Sequence, residues 1–467
     1  MAKRKRKEPG SGKKVSDGVQ NYSFEFRNHH LQLNHYQEPA KQPVSLPSAD
    51  EVFTEMMKTV KQERELTPIE ARWETFMNAD YEEQIALCHQ TIEEKDLMDD
   101  EMAFEMFNTL YYSTVENDER HRFDELADKL HTSLPELYAQ ERHFIADWQI
   151  TNAIAAGRYE DILPLARELA STGGEHLDIF TKTLDMLSYH DQRSTLLEIY
   201  PLSWPSVQEA NVFAWAVDEF VKRAGDAIIF DHLERNPSLK TNNEDLQEKL
   251  NIFIKVDQDR LVSYIDILTG RQEGQWEMSD FGFDRFYKGK GKAKRRVKTT
   301  KFSEEARQNL YDLSLEFLRY LRHEEGVPYT KGEIARQHIL EYLRERHAGG
   351  LDPEDDTRSE LDMMRGVKKR KPKIHRPDHW LCPDRNRFDQ FLANQLTFIN
   401  PHHYRAATSF ELMPAWLRFL ETRQLIDADQ RAKTLQDLQG LDANLLKLFQ
   451  TFPDPALCSA LEEWPYE

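Results

Sequence analysis

Glycine is scarce in this chain, with 18 among 467 residues. Phosphate-cradling loops and tight strand-to-helix turns consume glycine, so the scarcity argues against nucleotide-binding α/β folds. Cysteine is scarcer still, and Cys88, Cys382 and Cys458 are too few and too widely spaced for a disulfide framework. A reducing compartment is the default for such a chain, and cytoplasmic is the expected location. No apolar run approaches the length of a membrane span, so no membrane partner is expected. The basic start, Lys3-Arg4-Lys5-Arg6-Lys7, leads into Glu8-Pro9-Gly10 instead of an apolar region and does not read as a signal peptide.

Catalytic signatures are missing as well. The chain has no Gly-x-Ser-x-Gly, no Gly-x-Gly-x-x-Gly and no His-Glu-x-x-His. Gly10-Ser11-Gly12-Lys13-Lys14 lacks the earlier glycine of a phosphate loop and has Lys14 where magnesium needs Ser or Thr. With Pro9 these residues resemble the middle of the SEC-C zinc motif, but the cysteines of that motif are all absent, so zinc binding does not carry over. Asp118-Glu119-Arg120-His121 sets a carboxylate and an imidazole three apart, and a single copy in a turn-like stretch reads as an exposed polar turn. The expectation is a protein that is not an enzyme.

Charge is abundant and unevenly distributed. Residues 50–284 contain 50 Asp plus Glu against 21 Lys plus Arg, a net of −29 within a chain of net −20. The run 285–301, Arg-Phe-Tyr-Lys-Gly-Lys-Gly-Lys-Ala-Lys-Arg-Arg-Val-Lys-Thr-Thr-Lys, carries nine basic residues and no acid. Residues 1–48 show no sustained periodicity and read as a disordered basic arm. Residues 49–284 read as an acidic helical-repeat domain, 285–301 as a basic linker, and 302–467 as a smaller helical module with a charged linker at about 347–377.

Helical spacing recurs along the chain. Thr67-Pro68-Ile69-Glu70 has the capping box and first-position proline of a helix start. Phe104, Phe107, Tyr111 and Val115 form one stripe, and Phe123, Leu126, Ala127 and Leu130 the next. Ile162, Leu165, Ala166 and Leu169 form a third, and Phe213, Ala216, Val217, Phe220 and Val221 a fourth. Later stripes are Leu310, Leu313, Phe317, Leu318 and Leu321; Ala335, Ile339, Tyr342 and Leu343; Phe388, Phe391, Leu392, Leu396 and Ile399; and Leu412, Ala415, Trp416, Phe419 and Leu420. Phe317-Leu-Arg-Tyr-Leu321 and Trp416-Leu-Arg-Phe-Leu420 share one pattern. Strand-like alternation is nearly absent, so the expected class is all-α.

A repeat underlies the first part. Ala79-Asp80-Tyr81-Glu82-Glu83 and Gly157-Arg158-Tyr159-Glu160-Asp161 align without a gap, and a fainter copy lies at Arg122-Phe123-Asp124. Tyr81, Phe123 and Tyr159 are 42 and 36 residues apart, which is helix-hairpin spacing. These segments resemble the tetratricopeptide repeat, where a small residue, an aromatic and acidic residues open the second helix of each hairpin. The resemblance covers roughly residues 70–200 and implies an array of helical hairpins, an α-solenoid. The Trp-Leu-Gly pattern of the family's first helix is missing, Pro164 replaces an ordinary helix residue, and no binding residue transfers.

Three partner classes follow from these patterns. The acidic array is expected to receive a basic protein or peptide, acting as a scaffold or adaptor. Alternatively, the basic segments 3–7, 285–301 and 368–373 bind nucleic acid, with Lys290, Lys292, Lys294, Arg295, Arg296 and Lys298 as the phosphate contacts. The same basic run also reads as a plain linker, or as a strand of charge that folds back on the acidic array. His375, His379 and Cys382 are the one cluster with zinc-like content, with His402 and His403 following; the bland reading is a structural lead-in to the next helix.

Overall fold

In the computed structural model the residues described are 66–95, 101–236, 244–282, 303–348, 350–351, 379–397, 400–450, 452–462 and 464–465. Among them every regular element is helical and no strand occurs. The first helix, α1 (Pro68–Asn78), starts as its sequence dictates: the Glu70 N–H donates to Thr67 Oγ1 at 3.3 Å and the Thr67 N–H to Glu70 Oε2 at 2.8 Å. Asp80 and Glu83 repeat this box at the start of α2 (Tyr81–Glu93). Helices α3 (Glu101–Glu116), α4 (Arg120–Ser133), α5 (Pro135–Ala155) and α6 (Ile162–Ala170) follow. The three related segments each open the second helix of a pair: Tyr81 begins α2, Phe123 lies in the first turn of α4, and Tyr159 begins the 3₁₀ turn Tyr159–Asp161 ahead of α6. Pro164 is accommodated because α6 starts only at Ile162, so the proline falls in the first turn, where an N–H has no helical partner. Asp118 adopts a left-handed φ of 56° in the exposed turn before α4, as a polar turn residue can.

Next come α7 (Leu177–Tyr189), α8 (Arg193–Glu209), α9 (Ala214–Arg235), α10 (Glu244–Leu250) and α11 (Gln258–Leu268). The turn before α7 presses on α8: the Gly174 N–H donates to Ser206 Oγ at 2.6 Å, and a Cβ on Gly174 would stand 2.1 Å from the Ser206 carbonyl oxygen. Only glycine permits that approach. The expected stripe on α9 needs one correction. Phe213 is the N-cap residue, in extended conformation and 74% exposed, so the stripe reaches full burial only at Phe220. Helix α1 packs on α3, α2 on α4, α5 on α7 and α6 on α8, in addition to the neighbours in sequence.

The C-terminal helices are α12 (Glu304–His323), α13 (Tyr329–Ala348), α14 (Arg385–Gln395), α15 (His403–Glu411), α16 (Met413–Thr422), α17 (Ala428–Leu438), α18 (Leu441–Phe449) and α19 (Ala456–Glu462). Helix α13 packs on α7 and α9, and α15 packs on α7. One hydrophobic core consequently runs from Ala146 to Trp464, and a second from Ile69 to Trp148, with α5 supplying side chains to both. The described residues belong to one compact unit, Leu66–Glu467. The two matching five-residue patterns turn out to be partners: α12 lies on α16, with Phe317 5.0 Å from Trp416 edge-on and Tyr320 5.6 Å from Phe419. The arginines of the two patterns point elsewhere, Arg319 to Glu273 and Arg418 to Glu325.

Candidate functional site

Several residues singled out by sequence lie outside the described residues: Lys290, Lys292, Lys294, Arg295, Arg296, Lys298 and His375, with the basic segments 3–7 and 368–373. His379 and Cys382 are described. The Leu381 N–H donates to His379 Nδ1 at 3.2 Å, and burial, followed by the nearby Arg346 charge, lowers the His379 pKa. Burial pushes the Cys382 thiol up to about 11, while its carbonyl accepts from buried Arg346. Cys382 is buried near the C-terminal end of α13, where Trp416 Nε1 donates to the Leu381 carbonyl at 2.8 Å, and His379 is half-buried at the edge of a groove with Leu425 and Gln430. Among the described residues, no group of three or more His, Cys, Asp or Glu is placed to hold a metal ion. His402 and His403 stand apart from this pair, against α7.

Two buried ionic networks tie the C-terminal helices to α7 and α9. In the first, Asp185 on α7 accepts from Arg223 at 2.6 Å and Arg405 at 2.7 Å, and Arg405 continues to Glu219 at 2.7 Å. Burial alone would raise the Asp185 carboxyl; the charges of Arg223 and Arg405 overcome it and hold the group well below the usual carboxylate range. In the second, Glu333 on α13 pairs with Arg336 at 2.5 Å and with Lys222 of α9 at 2.7 Å, and Lys222 also pairs with Asp226 at 2.6 Å. Against the burial effect, Arg336 and Lys222 hold Glu333 well below its ordinary pKa, whereas burial leaves Asp226 raised. Most of these groups are paired with one another, although Arg223 Nη1 is buried without a hydrogen-bond partner.

A different arrangement occurs where α3, α5 and α7 meet residues 401–404 and 452–453, around a cavity of about 320 Å³. One wall is a stack of rings: Trp148 lies near-parallel to Phe104 at 5.8 Å, to Tyr111 at 5.1 Å and to Phe144 at 5.9 Å. His403 and Phe452 also line the cavity, with their rings 4.1 Å apart. Burial, with smaller contributions from Lys182 and His402, lowers His403 to about 4, so near neutral pH it is an uncharged ring. Asp147 lines it as well and accepts from Thr183 Oγ1 at 2.6 Å. No cation among the described residues lies within 4.0 Å of the Asp147 carboxylate, and burial raises its pKa to about 6 despite Thr183 and the more distant Lys182. Tyr111 is 1% exposed, and its hydroxyl has no hydrogen-bond partner among the described residues. Ring faces, a phenol and an unpaired carboxylate together suit an organic cation.

A wider groove of about 1050 Å³ between α9, α11 and α12 mixes Lys222, Arg260, Arg307 and Arg344 with Asp218, Asp257, Glu304 and Asp312, and so expresses no charge preference. Sequence reasoning placed Phe104 and Tyr111 in a core stripe and did not single out Asp147, Trp148 or His403 as a group. One signal was available: Asp147 is the sole Asp, Glu, Lys or Arg between residues 143 and 157. No family model, curated protein or solved structure matches this chain.

Proposed function

We propose that this chain is a non-enzymatic interaction protein: a tetratricopeptide-like α-solenoid, closed by a smaller helical module, whose acidic surface binds a basic protein or peptide. The contacts of α1 with α3, α2 with α4, α5 with α7 and α6 with α8 support the repeat reading, because stacked hairpins bring each helix against the one two positions on. The observation that carries the binding reading is the net of −29 over residues 50–284, displayed on helix faces such as that of exposed Glu82, Glu83, Glu93 and Glu94. Such a field steers cationic partners toward the surface and repels polyanions.

The test is capture of lysine-rich and glutamate-rich peptides by the immobilised full chain, at about 50 mM and about 500 mM salt. Retention of the lysine-rich peptide alone, weakened by salt, is the expected result. Equal retention of both peptides, or retention indifferent to salt, overturns the proposal. If capture from cell extract disappears on nuclease treatment, nucleic-acid binding through the basic segments replaces it.

A further inference from the structure

Building on the basic-partner reading, we infer that the cavity between α3, α5 and α7 is a specific pocket for one ammonium or guanidinium group, such as a Lys or Arg side chain of that partner. The fold joins an ammonium, a phenol ring and a carboxylate elsewhere, completed from within. Lys331 Nζ lies 4.0 Å above the Tyr189 ring and pairs with Glu411 at 2.6 Å, and the Tyr189 hydroxyl donates to the same Glu411 carboxylate at 3.1 Å. In the cavity the parts recur as the Tyr111 ring and hydroxyl, the Asp147 carboxylate and the Trp148 indole, but no lysine or arginine of the described residues pairs with the carboxylate.

Three physical arguments converge on a cation. A carboxylate has about four lone-pair sites, and Asp147 uses one of them on Thr183. A desolvated, unpaired carboxylate is costly to keep ionised, so a cation placed beside it recovers the energy that burial removed. Tyr112 is exposed and Phe104 and Phe144 are half-buried where they line the cavity, and electron-rich aromatic faces attract a cation most strongly when it has shed water. A volume of about 320 Å³ admits a long side chain and is at the small end of ligand pockets, too confined for a nucleotide chain. Lys182 also lines the cavity and lowers the Asp147 pKa through its charge, without pairing directly with the carboxylate.

Ionisation of Asp147 links binding to pH. The titratable groups lining the cavity with it are Glu105, Tyr111 and Tyr112 from α3, Lys182 and Asp185 from α7, and His402, His403 and Tyr404 from the C-terminal segment. A bound cation favours ionised Asp147, so affinity is full above the free-state value of about 6 and falls as pH drops below it.

The experiment titrates a fluorescently labelled Gly-Ser peptide carrying several lysines into the full chain, read by anisotropy. Asp147→Asn should weaken binding about tenfold, the loss typical of one charge-assisted hydrogen bond, with partial rescue by Asp147→Glu. Asp437→Asn, exposed on α17 and outside both the cavity and the acidic region 50–284, should change it less than about twofold. Wild-type affinity should fall between about pH 7 and about pH 5, and the Asp147→Asn profile should be flatter. Unchanged binding in Asp147→Asn, or an identical pH profile, overturns the pocket. If wild type binds no lysine peptide, the acidic-surface reading fails, and n-butylammonium then decides the pocket separately. Perturbation of the Trp148 indole proton resonance by this amine, abolished in Asp147→Asn, supports the pocket as a site for free amines; no perturbation in wild type overturns it.

Discussion

The described residues from Leu66 to Ala146 bury no Asp, Glu, Lys or Arg, whereas the body beyond Trp148 buries Asp185, Asp226, Glu316, Glu333, Arg336, Arg346, Arg387, Asp442 and Asp454. In the first region ion pairs stay near the surface, as in Arg122 with Glu82 and Lys129 with Glu93. In the second, polar links span the chain: Tyr189 to Glu411, His190 to Asp454 at 2.6 Å, and Arg405 to Asp185. Stacking one hairpin on the next needs only apolar stripes, because short connections already set the partners. Bringing a distant segment back onto the middle of the stack needs a register, and directional charge pairs supply one at the expense of desolvation.

The comparison breaks most sharply at Glu333. Glu333→Ala leaves Arg336 and Lys222 without their shared carboxylate and should cost about 3–5 kcal/mol. Chemical denaturation combined with hydrogen exchange should show the loss in α9, α12 and α13, with α1 to α4 still protected. The mirror experiment is Phe123→Ala, which removes a fully packed ring beside Tyr111 and Trp148 and should cost about 3 kcal/mol or more, with exchange confined to the first region. An equal spread of either loss across the whole chain would show that the two cores do not differ in this way.

Acid should separate the regions more gently. The folded pKa values of Asp185 and Glu333 are depressed, so their stabilisation is present above the unfolded carboxylate values of about 4 and is lost as pH falls below them. Exchange protection in α7, α9 and α13 should decline from about pH 5 downward, ahead of α1 and α2. The raised value of Asp147 acts with the opposite sign, costing stability as pH rises from about 4 to about 6, and Asp226, also raised by burial, acts in the same direction. The smallest effect is expected from Arg122→Ala: its pair with exposed Glu82 is solvent-screened, and the denaturation midpoint should hardly move.

Much of the first region was legible because its determinants are local. The Thr67 and Asp80 caps, the stripe from Phe123 to Leu130 and the segments opening α2, α4 and α6 all follow from residues within one or two helical turns. Phe213 shows where this reading stops, since a matching apolar residue fell one position outside the helix and faces solvent. The cavity was illegible for a different reason. Its walls come from α3, α5, α7 and two C-terminal stretches, and no local pattern shows that His403 and Phe452 will line one cavity with Trp148.

By itself the sequence determined helices, their caps, the hairpin spacing and the acid excess, because periodicity, capping chemistry and net charge are properties of neighbours in the chain. Tertiary structure alone decided which charges are buried and which remain at the surface. Asp147 and Asp185 are both acidic residues of a helix pattern; Asp185 became a paired internal anchor and Asp147 an unpaired carboxylate beside aromatic rings only when α15 folded back on α7. The physical reason is that desolvation and Coulomb energy depend on distance in space, and separation along the chain does not encode it.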